Sequence, residues 1–204
     1  HVFLDEDDTI LYASDLGLDV VNAYNVDYST GTLTLIPDLC LHIQPGRGPR
    51  SMAVNPSGTY LYLTTEMGCT CIVYKKSGLT WKPIQEISTV PKDISCSNIT
   101  AEASLSPDGS FLYVSNRGHD SIGVFSISKE NGSLTPIQWI STQGKTPRSF
   151  CMDSGGNWLI AANQDSDTLS VFSRDAASGK LNFLHQEYAA TPVCVRMYDP
   201  VNKS

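Results

Sequence analysis

The sequence predicts an all-β fold, a β-propeller of four four-stranded blades plus a closing strand, and three observations predict it. Four segments align with one another: "VFLDEDDTILYASDLGLDVVNAYNV", "MAVNPSGTYLYLTTEMGCTCIVYKK", "ASLSPDGSFLYVSNRGHDSIGVFSI" and "FCMDSGGNWLIAANQDSDTLSVFSR". They open at residues 2, 52, 103 and 150, a period of 50, 51 and then 47 residues. Four strands per period of this length is the signature of propeller blades. Second, nearly every apolar run is short, β-branched or aromatic, and ended by Gly, Pro, Asn or Asp, which disfavours helix. Third, a less regular strand follows each segment: "GTLTLIPDLCLHI", "LTWKPIQEIST", "GSLTPIQWIST" and "GKLNFLHQEY".

The blades are therefore placed at residues 1–48, 49–99, 100–146 and 147–190 of a single domain, 1–204. Within each, an inner strand, a turn rich in Asp, Gly or Ser, an apolar second strand, a polar turn and a third strand precede the outer strand. After the fourth outer strand, "TPVCVRMY" at 191–198 stands where a fifth unit would begin, and Val193 to Met197 is read as half of a clasp between chain ends. Four blades and an orphan strand leave open sheet edges, which a ring exists to abolish. The chain also does not open on Met. The expectation is thus the C-terminal part of a larger propeller, with a closed four-bladed ring as the alternative.

Composition narrows the partners. The chain has 204 residues, 41% hydrophobic and 17% charged, with a formal net charge of −7. That charge argues against nucleic acid, whose phosphates demand a basic patch, and leaves a small molecule or a protein. No run of 18 apolar residues suggests a membrane span. The six cysteines (40, 69, 71, 96, 151, 194) form no CxxC, and Cys69 and Cys71, two apart in an apparent strand, should face one way without bridging. Reduced thiols and a cytoplasmic location are expected, with secretion as the alternative because of sequons at Asn98, Asn131 and Asn202. Four scattered histidines offer no metal-ligand spacing, so neither a metal nor another cofactor is predicted.

The repeat frame isolates candidate site residues. Leu16, Glu66, Arg117 and Gln164 are equivalent, just after the second strand of each blade. His1, Ser51, Glu102 and Ser149 are equivalent at the start of the inner strand, preceded in the last three blades by Arg50, Ala101 and Arg148. A structural turn needs only small polar residues. This frame instead delivers Arg, Glu and His to one region, the pattern of an anion site with an acid–base group beside it. Arg50 and Arg148 could also tie blade ends through carbonyls, and Glu66 could be the ion-pair partner of Arg117, a base, or both. His119 and Asp120 are read as braces of their hairpin. Ser51 and Ser149 have no evident base, so no serine nucleophile is predicted.

The segments "GRGPRSMAVNPSG", "TEMG", "AEASLSPDGSFLYVSNRGHDSI", "GKTPRSF", "AANQDSD" and "PVCVRM" together resemble the lactonase and carboxymuconate-cyclase family of seven-bladed propellers, over essentially the whole chain. The resemblance implies one His, two Arg and one Glu near the channel as the catalytic set: His1, Arg50, Glu66 and Arg117 here. Arg148, Glu102 and Gln164 are expected to bind substrate, a small anionic lactone or a muconate-like carboxylate. It implies lactone hydrolysis of the 6-phosphogluconolactonase kind, or the reverse ring closure of a carboxy-cis,cis-muconate cyclase. A non-catalytic binding propeller is the remaining class. Two departures bear on activity: the usual "GPRH" is "GPRS", with Ser51, and the frequent "AEIH" is "AEAS", with Ser104, each removing an imidazole.

Overall fold

A computed structural model describes residues 1–94 and 96–198. The Asn202 sequon lies outside these. Four antiparallel sheets follow one another along the chain. The first contains β1 (Val2–Leu4), β2 (Ile10–Asp15), β3 (Val20–Asp27), β4 (Thr32–Leu35) and β5 (Leu41–His42). The second is β6 (Pro49–Val54), β7 (Tyr60–Thr65), β8 (Thr70–Ser77) and β9 (Thr80–Ser88). The third is β10 (Ile99–Leu105), β11 (Phe111–Arg117), β12 (Ser121–Ile127) and β13 (Leu134–Ser141). The fourth is β14 (Pro147–Met152), β15 (Trp158–Asn163), β16 (Thr168–Arg174) and β17 (Leu181–Tyr188). The sheets follow sequence order without crossovers, apart from β5 pairing back onto β3. The first strands β6, β10 and β14 lie against one another and so form the inner edge.

Two expectations change. The outer strand of the first blade is split: Pro37 opens a 3₁₀ turn over Pro37–Leu39, and β4 and β5 both pair with β3 on either side of it. Proline cannot donate to a ladder. In the second and third blades Pro83 and Pro136 are accommodated more mildly, next to a bulge that leaves Ile84 and Ile137 unpaired. The predicted closing strand is not a strand here: residues 192–198 join no sheet. A strand needs a neighbour to complete its hydrogen bonds. The segment instead runs past β14, with the Val195 N–H 3.5 Å from the Ser149 hydroxyl.

Blades are joined by seams that use both faces of each sheet. Along β7, Leu61 and Leu63 pack towards the first blade, while Tyr60 and Tyr62 pack towards the third. The two-residue period thus buries a strand completely, which accounts for its continuous apolar run. Phe111, Tyr113, Phe150, Leu159 and Phe172 fill the seam between the third and fourth blades.

Polar pins repeat across these seams. The Tyr62 hydroxyl donates to the Gly132 carbonyl at 3.1 Å, and Tyr113 does the same to Gly179 at 2.7 Å. Both glycines sit at positive φ, +73° and +72°, with an aromatic ring where a Cβ would project. Only glycine fits such a turn without strain. The Gln85 amide both donates to and accepts from the Leu134 backbone (2.9 and 2.7 Å), and Gln138 repeats this on Leu181 (3.0 and 2.9 Å).

Candidate functional site

Backbone geometry at the inner edge sets the site. The turn after each second strand contains one non-glycine residue in the left-handed region: Asp19, Cys69, Asp120 and Asp167, with φ of 53°, 52°, 52° and 54°. Asp tolerates this conformation better than most residues. Its carboxylate then accepts backbone N–H groups from the entrance to the next blade. Asp19 takes Gly46 and Gly48, both at 2.7 Å, Asp120 takes Thr146 at 2.9 Å, and Asp167 takes Thr191 at 2.7 Å. In the second blade the position is Cys69, which corrects the expectation that it shares a strand face with Cys71. Its thiol donates to the Asn98 carbonyl at 3.0 Å instead.

These clamps fix where the next residues fall, and a second device aims them. The pairing of first and second strands shifts register between Pro49 and Met52, between Thr100 and Ala103, and between Pro147 and Ser149. The irregularities contain Arg50 and Ser51, Ala101 and Glu102, and Arg148. A bulge bends its strand and redirects side chains.

Glu66 is the hub of the resulting cluster. Its backbone is held by the Gly48 carbonyl (2.7 Å) and by the Thr100 N–H (3.0 Å). One carboxylate oxygen meets Arg50 Nη1 at 2.7 Å and the other meets Arg117 Nη2 at 2.9 Å. The side chains are largely enclosed, with 7% of Arg117, 13% of Glu66 and 24% of Arg50 exposed. Arg117 Nη2 also donates to the Thr100 carbonyl at 3.2 Å, while its buried Nε has no acceptor among the described residues. Burial lowers the Arg117 pKa, an effect that Glu66 opposes and that the neighbouring Arg50 and Arg148 reinforce. Arg148 forms no ion pair among the described residues.

A second cluster lies beside the first along the inner strands. His1, Glu102, Ser104 and Arg196 are among the residues lining a groove of about 420 Å³. The Ser51 hydroxyl lies 3.4 Å from His1 Nδ1 and accepts the Ala103 N–H at 3.1 Å. Burial pushes the Glu102 carboxyl up, while Arg196, Arg50 and Ser51 pull it back.

His1, Arg50, Glu66, Arg117, Arg148 and Glu102 thus gather into two adjoining clusters. Gln164 occupies the frame position of Glu66, but its amide turns to its neighbour Asp165 at 3.1 Å, and among the described residues no side-chain hydrogen bond ties it to either cluster. His119 and Asp120 brace the hairpin: the imidazole meets the Ser121 hydroxyl at 2.7 Å, and Asp120 also accepts the Gly118 N–H at 3.1 Å. The Asn98 amide is occupied between Cys69, Asn116 and the His119 N–H. Arg196 is the residue that sequence reasoning missed. It is the one charge within "PVCVRM", and that contrast was the available signal.

Repeated four-stranded sheets that present guanidinium, carboxylate and imidazole groups from one inner edge define a β-propeller with a charged channel-side site. More particularly, the chain belongs to the family described as lactonase, 7-bladed beta-propeller, which matches residues 1–197. It is 34% identical over 193 residues to a protein from Bacillus subtilis named 6-phosphogluconolactonase, covering 93% of this chain and 54% of that one. A Lactobacillus plantarum crystal structure superimposes with a TM-score of 0.91 at 35% identity, covering 98% of this chain and 58% of that one. A periplasmic gluconolactonase from Pseudomonas aeruginosa gives 0.89 at 31%, covering 94% and 54%. The chain spans about half the length of the curated relatives it matches. Its four blades are part of the ring.

Proposed function

We propose that this inner edge belongs to a lactone hydrolase acting on an anionic sugar lactone of the 6-phosphogluconolactone kind. The observation that carries the reading is Glu66 bridging Arg50 and Arg117, with the buried Arg117 Nε lacking an acceptor among the described residues. The charge balance supports an anion. Arg50 and Arg117 share the Glu66 carboxylate, Arg50 and Arg196 act on Glu102, and Arg148 lies near Arg117, which gathers four guanidinium groups in a chain of net charge −7. Guanidinium groups match the geometry of phosphate and carboxylate.

Hydrolysis then divides among these groups. A carboxylate has about four lone-pair sites, and two on Glu66 are taken by arginines, leaving others to accept a proton from water. The water oxygen attacks the lactone carbonyl carbon, and Arg117 or Arg50 stabilises the oxyanion that forms. The ring C–O bond breaks as His1 protonates the departing ring oxygen. Arg148 and Arg196 hold the substrate's remote anion. Names of relatives support the same reaction class.

The test is hydrolysis of 6-phosphogluconolactone above its spontaneous rate by the protein and by Arg117→Ala. A loss of about 10²- to 10³-fold in kcat/KM is expected, as for other oxyanion donors. Equal rates for both would overturn the role of Arg117. Absence of hydrolysis combined with turnover of a carboxymuconate would assign ring closure instead.

A further inference from the structure

A separate pocket of about 330 Å³ opens beside Arg117, between the entrances to the third and fourth blades, and Asn98, Arg117, Gly118, Thr146 and Asp165 are among the residues lining it. Arg117 and Asp165 are its only charged lining residues among those described. No ion pair joins them. A guanidinium and a carboxylate thus share one pocket without neutralising each other by contact. Arg117 is 7% exposed and spends its Nη2 on Glu66 and the Thr100 carbonyl, while its buried Nε has no acceptor among the described residues. The Asn98 amide is already committed to Cys69, Asn116 and the His119 N–H.

Asp165 is exposed, yet its carboxylate is held in place. Oδ2 accepts the Thr146 hydroxyl at 2.5 Å and Oδ1 accepts the Gln164 amide at 3.1 Å. A carboxylate has about four lone-pair sites, so about two remain for a ligand. Thr146 takes an unusual backbone conformation to make its contact, with φ at +58°. A β-branched residue in this region is an outlier and carries strain. Before the corresponding Pro-Arg pair of the second blade the same place is filled by Gly48, at φ +64°. Thr191 repeats the conformation ahead of Pro192, but its hydroxyl returns to Asp167 at 3.4 Å. What Thr146 adds to the frame is the hydroxyl on Asp165.

We propose that Asp165 is a specificity-determining residue that accepts hydrogen bonds from the hydroxyls of a polyhydroxylated substrate, with Thr146 as its positioning residue. The inference rests on the lactonase reading and deepens it. A lactone whose carbonyl oxygen meets Arg117 presents the neighbouring ring hydroxyls to the same pocket, where each can give its proton to Asp165. A muconate-like carboxylate has no hydroxyl to give and meets like charge there. The pocket therefore favours a sugar lactone over the substrate of the cyclase reaction, and it does so through a residue outside both clusters.

Calorimetric titration with 6-phosphogluconate and with 6-phosphohexanoate, the same chain without its hydroxyls, tests this in the absence of turnover. The parent protein should bind the hydroxylated ligand more tightly. Asp165→Ala should reduce that preference by about 10-fold, the scale of a hydrogen bond to a charged group, with 6-phosphohexanoate bound as well as before or better. Thr146→Val should lose part of the preference and Thr146→Ser should restore it, which a merely structural role for the threonine would not produce. An unchanged preference in Asp165→Ala, or a parent that binds neither ligand, would overturn the subsite. If the protein hydrolyses lactone, Asp165→Ala should raise KM by about 10-fold with kcat little changed, as when binding common to ground and transition states is removed. Hydrolysis with an unchanged preference would reject the role of Asp165 and keep the lactonase reading. An Asp165-dependent preference without hydrolysis would reject the lactonase reading and keep the subsite.

Discussion

The blade seams and the inner edge use the same repeated backbone in opposite ways. At the seams the frame is repeated and so are the side chains: Tyr62 and Tyr113 reach Gly132 and Gly179, and Gln85 and Gln138 hold Leu134 and Leu181. At the inner edge the frame is repeated and the side chains are not. One equivalent position holds Leu16, Glu66, Arg117 and Gln164, three of them polar and each of different chemistry. Repetition of a side chain marks a job that every blade must do, namely docking its neighbour. Divergence on an unchanged scaffold marks a job done once for the whole molecule, because a small ligand in the channel meets each blade from a different side.

The comparison can be broken most forcefully at Glu66, where both jobs coincide. Glu66→Ala removes the counter-charge of two arginines, one of them almost fully enclosed. A loss of about 3–5 kcal/mol is expected when one partner of a buried ion pair is deleted, together with a fall in lactonase activity of about 10²- to 10⁴-fold. Urea unfolding and steady-state kinetics on the same preparation measure the two. Full stability in this variant would show that the arginines are held by ligand chemistry alone and owe nothing to packing.

A pure seam change should separate the two effects. Tyr113→Phe leaves the Gly179 carbonyl and the Arg174 Nε, 2.7 and 2.8 Å from the lost hydroxyl, without their partner. Unpaired buried groups of this kind cost about 1–3 kcal/mol. The midpoint of denaturation should fall accordingly while kcat/KM stays within twofold of the parent. A larger kinetic effect would mean that the seam between the third and fourth blades transmits strain to Arg117.

The smallest expected effect lies far from both, in the outer hairpin of the first blade. The Ser29 and Thr30 hydroxyls and the Ser29 N–H hold the Asp27 carboxyl at about 2, below its ordinary 3.8. A depressed folded pKa contributes stability that is complete above the unfolded pKa and is lost as pH falls through the folded one. Asp27→Asn should therefore lower Tm slightly at pH 5 and converge with the parent as pH drops from about 4 towards 2. A gap that persists at pH 2 would assign the effect to hydrogen bonding independent of charge.

Much of this was legible in the sequence for a definite reason. Blade period, strand order and the frame positions of Arg50, Glu66 and Arg117 follow from hydrophobic alternation and turn residues, which are local properties of the chain. Local rules also identified His119 and Asp120 as braces, because a hairpin's hydrogen bonds close within a few residues. What local rules could not reach was anything that depends on a neighbour. The tail "PVCVRM" has the composition of a strand, yet 192–198 join no sheet, since pairing is decided by what lies alongside. Cys69 read as part of a strand because nothing in the sequence reveals its φ of 52°. Arg196 entered the site only through the path the tail takes past Glu102.

By itself, then, the sequence determined an all-β repeat and the set of charges offered to its inner edge, since both are written in residue type and spacing. Only tertiary structure decided which charges meet. Bulges at three blade entrances carry Arg50, Ser51, Glu102 and Arg148, and contacts between blades bring the Ser51 hydroxyl onto the Ala103 N–H and within 3.4 Å of His1 Nδ1. The physical reason is that hydrogen bonds and ion pairs act over a few ångströms in space, and separations of 16 to 52 residues along the chain say nothing about such distances.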